Sequence, residues 1–255
     1  MRAIWSGSLS FGLVNIPVKL YSAIEPKALS FNFLHKDDLS PVRFARVCRR
    51  DGKELPFEDI VRGYEYEPGD YVVVADEDFK KANLRETSSI EIKNFAYESE
   101  IDPMMFEKPY FLEPEKAKKP YALLRDALRK SKKVGIAKFV LRNKEHLAII
   151  RPEDNLIVLE QLRFKEELRK PAGLKIPEEK ISEKKELELA LQLINQLTVK
   201  FKAEDYEDTY TADLKEIIEA KAKGKTPLGK GRAPEPVRVH DLMSILKKSL
   251  EKQKH

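Results

Sequence analysis

Cysteine is nearly absent. Cys48 is the only one in the chain, so no intrachain disulfide can form and a disulfide-stapled scaffold is excluded. Histidine is sparse: His35, His146, His240 and His255 are scattered, none stands at metal-ligand spacing from a second ligand, and neither metal nor cofactor is expected. No apolar run approaches the roughly 18 residues of a membrane span. The opening MRAIWSGSLSFG lacks the basic segment and long apolar stretch of a secretory signal. The expectation is therefore a soluble, cytoplasmic protein without a membrane partner. A phosphate-binding loop is missing too: GKTPLGKG at 224–231 follows the glycine-rich pattern until Gly231, which stands where the magnesium-binding hydroxyl belongs, and Pro227 lies inside it.

What is abundant is charge. Of the 255 residues 36% are charged and 42% hydrophobic, which is apolar enough to bury a core in one large domain or a domain with appendages. The net charge of +5 conceals strong segregation: +3 over 36–53, −10 over 54–113, +7 over 125–151, −6 over 152–220 and +7 over 221–255. A chain that is basic in some blocks and acidic elsewhere suits a partner with a phosphate backbone, although a solvated charged surface gives the same count.

Hydrophobic periodicity places the elements. VNIPVKLY at 14–21 alternates Val14, Ile16, Val18 and Leu20 against polar neighbours, a half-buried strand whose Pro17 belongs at an edge or bulge. YVVV at 71–74 reads as a buried strand, Asp76 as the cap of a short helix, and SIEIKNF at 89–95 as another alternating strand. A helix starts near Pro120 with Leu123, Leu124, Ala127 and Leu128 as its apolar stripe. VGIAKFVL and LAIIR, joined by a short polar turn, form a hairpin, and NLIVLEQL at 155–162 is a further strand. Ser182 can cap a long helix in which Leu187, Leu191 and Ile194 share one face and Leu189, Leu193 and Leu197 widen it. TADLKEIIEAKAK is a second helix stopped at Gly224, residues 224–236 read as a linker, and Asp241 can cap a last amphipathic helix. Strands first and helices last argue for an α+β core with a helical appendage.

Two features invite a catalytic reading. Cys48, in RVCRR, lies among arginines that would favour a thiolate, but it has no histidine partner and reads as a small half-buried residue. The pairs Asp37 with Asp38 and Asp76 with Asp78 could hold the metals of a nuclease, yet both sit beside turns or helix starts, where carboxylates cap backbone N–H groups.

The segments RAIWSGSLSFGLVNIPVKLYSAIE, GKELPFEDIVRGYEYEPGDYVVV and AKFVLRNKEHLAIIRP occur in the order and approximate spacing of a bacterial Ku protein, and the likeness covers about residues 2–220. VRVHDLMSILKKSLE resembles the C-terminal segment through which bacterial Ku proteins engage their ligase. The resemblance implies a β-barrel core over 1–180 with a DNA-encircling bridge inserted near 30–60. It further implies a helical dimerisation region over 181–223, a linker over 224–236 and a short ligase-recruiting helix over 237–255. It also implies a non-catalytic, nucleoid-associated homodimer that threads as a ring onto double-stranded DNA ends and recruits an ATP-dependent DNA ligase of the ligase D type for non-homologous end joining. Two other readings stand beside it: a metal-dependent nuclease, and an open basic nucleic-acid-binding module without a ring.

The candidate DNA-binding residues fall in two basic blocks. The first holds Lys36, Arg43, Arg46, Arg49, Arg50 and Lys53, with Phe44 and Val47 interleaved. In an extended chain Arg43 and Arg49 would face one way, and Arg46 and Arg50 the other. The second holds Lys138 and Arg142, sharing a strand face across Val140, and Lys144 at the turn. Leu187, Leu191, Ile194 and Leu197 are the candidate dimer stripe, with an ordinary core helix as the alternative. Val237, Val239, Leu242, Ile245, Leu246 and Leu250 are the candidate ligase contacts.

Overall fold

The computed structural model describes residues 1–82, 89–176 and 184–225 and divides into two units, Met1–Pro171 and Ala172–His255. In the first unit, β1 (Trp5–Phe11) and β2 (Val14–Ser22) form a hairpin turned at Gly12, whose φ of 56° is cheap only without a Cβ. The chain then leaves for a long excursion carrying β3 (Gly63–Glu67), β4 (Asp70–Val73) and α1 (Asp76–Ala82). It returns as β5 (Ser89–Tyr97) and continues through β6 (Phe106–Pro114), α2 (Lys118–Ser131), β7 (Lys133–Leu141), β8 (Lys144–Glu153) and β9 (Leu156–Leu162). Seven strands close a barrel in the order β1-β2-β6-β9-β8-β7-β5, antiparallel at every described seam except β1 with β5.

The alternation seen in the sequence produces the core. Ile16, Val18 and Leu20 of β2, Leu9 of β1, Ile90 of β5 and Phe139 of β7 have no exposed surface. Each such aliphatic side chain contributes about 1.5–3 kcal/mol by leaving water. Barrel closure removes the free edge expected for Pro17. It pairs with Ser8 in the β1 ladder and lies one residue past the last β2–β6 pair, where its carbonyl accepts from the Glu115 N–H at 3.0 Å. Ile149 and Leu162, on the outer side of β8 and β9, form a second small core with Val134, covered by Ile101, Met105 and Phe106.

α2 lies across one end of the barrel. Its stripe is Tyr121, Leu124 and Leu128, whereas Leu123 and Ala127, expected in it, are exposed: the helix turns its aromatic ring inward and rotates those two out. The Tyr121 hydroxyl donates to the Leu112 carbonyl and accepts from the Ile157 N–H, both at 2.7 Å, bridging β6 and β9 where their ladder ends. Arg125 donates to the Asn155 carbonyl at 2.9 Å and Arg129 to that of Asp154, tying the helix to the β8–β9 turn.

The excursion differs from expectation in one respect. β4, read as buried, is exposed and pairs only with β3. An apolar run of Val residues has the same composition whether it enters a core or awaits a partner. Asp76 does not cap α1 either: it pairs with Arg62 at 2.9 Å, and the Asp78 carboxylate accepts from the Ala75 N–H at 2.9 Å.

In the second unit, α3 (Lys184–Leu197) and α4 (Thr209–Ala222) are the described helices. Asp208 caps α4 by accepting from the Thr211 N–H. Gly224, at φ 70°, ends it with the Gly224 N–H on Lys221 and the Lys225 N–H on Ala220, the paired bonds of a Schellman stop.

Candidate nucleic-acid interface

Barrel topology roots the excursion that carries the first basic block at the same end as the second block. The excursion departs from Ser22 and re-enters at Ser89, which stands beside Ser8. The register Glu91 with Lys138 and Leu141 with Lys144 places the β7–β8 turn at that same end, opposite α2.

The first block is not one extended strand. Residues 33–42 make a hairpin in which the Val42 N–H donates to Phe33 and the His35 N–H to Ser40. Asp38 stabilises its turn by accepting from the Ser40 N–H and hydroxyl, and these bonds, with His35, hold its carboxyl below the usual range. A second hairpin follows: the Leu55 N–H donates to Arg46, the Cys48 N–H to Lys53 and the Gly52 N–H to Cys48, with Gly52 at φ 73°. The expected alternation of Arg43 and Arg49 against Arg46 and Arg50 fails, because the chain reverses at residues 49–52. Arg49 and Arg50 occupy this turn, exposed and without a carboxylate partner among the described residues, as does Lys36 in the preceding turn. The others are engaged. Arg43 pairs with Glu54 at 3.2 Å, Arg46 sits 5.1 Å over the Phe57 ring, and the Lys53 ammonium lies 3.5 Å from Asp51. The Lys53 N–H donates to Asp51 and keeps that carboxyl low. Cys48 is half-buried behind this turn.

In the second block, Arg142 and Asn143 form a two-residue turn with φ of 53° and 63°, the left-handed pair of a type I′ hairpin. Arg142 therefore does not share a strand face with Lys138. Lys138 bonds Glu145 at 3.2 Å and lies 5.7 Å over the Phe164 ring, while Lys144 bonds Glu167 at 2.7 Å, which raises the lysine and lowers the glutamate. Of this block, Arg142 is the cation without a carboxylate partner among the described residues.

Beside this turn is a cleft of about 490 Å³ bounded by Ile4, Ser22, Glu107, Lys108, Tyr110, Leu141, Arg142, Lys144, His146 and Gln161. Lys108 was not legible as a site residue, because only the β6–β9 register, Lys108 with Gln161, brings it here. His146 is a lone histidine whose imidazole burial pushes its pKa down.

The α3 stripe is exposed, with Leu187, Leu191, Ile194 and Leu197 each about half accessible, so it is not an ordinary core helix within this chain. Val237, Val239, Leu242, Ile245, Leu246 and Leu250 lie outside the described residues. No described helix is long and apolar enough to cross a membrane.

The first unit is thus a closed seven-stranded barrel interrupted by a basic, exposed excursion, with a second cationic turn at the end where the excursion is rooted. A family model described as the Ku70/Ku80 beta-barrel domain matches residues 10–190, and the chain belongs to the Ku family. It is similar to proteins named non-homologous end joining protein Ku: from Opitutus terrae, 44% identical over 98% of this chain and 91% of that one; from Bacillus subtilis, 42% identical over 99% and 82%; and from Archaeoglobus fulgidus, 40% identical over 98% and 99%.

Proposed function

We propose that this chain binds the ends of double-stranded DNA without reading sequence and acts in non-homologous end joining. Two copies close a ring around the duplex, and residues 237–255 recruit an ATP-dependent DNA ligase. The observation that carries the reading is that the basic excursion is rooted at the barrel end where the second cationic turn lies. Arg49, Arg50 and Arg142 supply guanidinium groups without a carboxylate partner among the described residues, and phosphate contacts of this kind carry affinity without sequence information. The names of the relatives support the pathway. The exposed α3 stripe suits a second copy, because an amphipathic helix that leaves its leucines in water favours association. The protein is a scaffold, not an enzyme. Three of the four carboxylates weighed for a nuclease have local structural partners, Asp38 in Ser40, Asp76 in Arg62 and Asp78 in the Ala75 N–H.

The test compares affinity for a linear duplex, a covalently closed circle of the same sequence, and the linear duplex with both ends blocked by streptavidin. Binding to the open linear form alone is expected. Equal binding to all three would overturn threading and leave an open basic surface. Sedimentation of the full chain, with Leu191→Glu and Ile194→Glu as variants, tests the dimer: two copies for the parent, one for the double variant.

A further inference from the structure

The cleft beside the β7–β8 turn encloses about 490 Å³. Its floor is fixed: Tyr110, 4% exposed, donates its hydroxyl to Gln161 Oε1 at 3.2 Å, and Gln161 Nε2 donates to Glu107 at 3.1 Å. Two of its wall charges are answered locally. Lys144 bonds Glu167 at 2.7 Å, and Glu107 lies 3.6 Å from Arg163. Lys108, whose ammonium lies 5.6 Å over the Tyr110 ring, and Arg142 remain as two cations without a carboxylate partner among the described residues. Arg142 is also held at φ 53°, a conformation in which Asn or Gly is the cheaper residue, so the turn's own needs do not explain the arginine.

We infer that this cleft binds a phosphate monoester, carried on a free nucleotide or on the 5′ terminus of a DNA strand. Three properties select that chemistry. A monoester carries about −1.5 to −2 charges at pH 7, matching the two unanswered cations, whereas a phosphodiester carries one. A guanidinium fork beside a lysine is the usual pairing for its oxygens. The cleft's volume of about 490 Å³, bounded by both cations and by Tyr110 and His146, has room for a terminal phosphate with its nucleoside. The 5′-terminus arm rests on the end-binding function proposed above; the free-nucleotide arm does not.

The full-length chain would be titrated with inorganic phosphate and deoxyadenosine 5′-monophosphate, with deoxyadenosine as the uncharged control, and with blunt duplexes bearing 5′-phosphate or 5′-hydroxyl ends. The His146 imidazole, followed by NMR, is a local readout, because an oxyanion nearby stabilises its protonated form and moves its titration to higher pH. The nucleotide is expected to bind and shift His146, and the nucleoside to do neither. Arg142→Asn should weaken binding by about tenfold or more, the loss of one charge-assisted hydrogen bond. Asn suits the left-handed turn, so that variant keeps the hairpin, and Lys108→Gln provides a second, strand-borne test. If the nucleotide binds and the two duplexes are equivalent, the source is the free nucleotide; if the 5′-phosphorylated duplex alone is favoured, it is the DNA end. No His146 shift with any phosphate and equal affinity for both duplexes overturns the site while leaving end binding intact. Nucleotide binding without any duplex binding does the reverse.

Discussion

The barrel and the excursion between β2 and β5 are built on different physics. Barrel side chains such as Leu9, Ile16, Phe139 and Ile150 are wholly buried, and every strand has a neighbour on each side. From residue 23 to residue 79 no residue is buried, and shape comes from local devices: two short hairpins, the Asp38 and Asp51 turns, and the Arg62 bond to Asp76. The barrel resists deformation because displacing any strand exposes apolar surface. The excursion can readjust at small cost, since few buried contacts are lost. Stability is thus carried by the barrel, while the candidate contact residues are divided between the excursion and the barrel's β7–β8 turn.

The sharpest way to break this contrast is to truncate the same residue type in both regions. Phe139→Ala should cost about 3–5 kcal/mol in urea unfolding, the usual range for a buried Phe, whereas Phe44→Ala, at a site 83% exposed, should stay within about 0.5 kcal/mol. Comparable losses at both positions would mean that the excursion shares the barrel's core. Tyr121→Phe removes the hydroxyl between β6 and β9 and leaves a buried N–H and carbonyl unpaired, so a loss of about 1–3 kcal/mol is expected in the same assay.

Charge removal should sort the other way. Arg49→Ala with Arg50→Ala should leave unfolding unchanged, weaken binding to linear duplex, and reduce the salt slope by about 2, one for each phosphate contact. Arg43→Ala, whose guanidinium is engaged by Glu54, should lower the slope by less.

The smallest effect is a pH dependence. Burial depresses the His146 pKa from an ordinary value of 6.5, so the unfolded chain takes up its proton first. Stability contributed at this site is complete above about pH 6.5 and is lost as pH falls below it, and His146→Gln should flatten that part of the unfolding profile.

Local information made much of the barrel legible. The alternation of Ile16, Val18 and Leu20 and the polar turn between two apolar runs at 134–150 depend on residues adjacent in sequence, and the structure has β2 and the β7–β8 hairpin there. What failed depends on distant residues. Whether YVVV is covered, which way α2 rotates, and whether Arg142 shares a face with Lys138 are decided by strand pairing, by partners such as Leu112 and by the turn at 142–143. The candidate cations were located by charge count alone, which cannot separate Arg49 and Arg50 from Arg43, because Glu54 meets Arg43 only after the chain reverses.

The β1–β5 seam has a mechanical consequence. β1 is flanked by β2, where the excursion starts, and by β5, where it ends, and the seam with β5 is a parallel ladder of four pairs from Ser8 with Ser89 to Phe11 with Ile92. Tension transmitted through the excursion along β5 would load this ladder lengthwise. The bonds of β5 to β1 are then loaded in shear and must rupture together instead of peeling one by one. The excursion's root on β5 therefore resists a pull along the strand better than one across it.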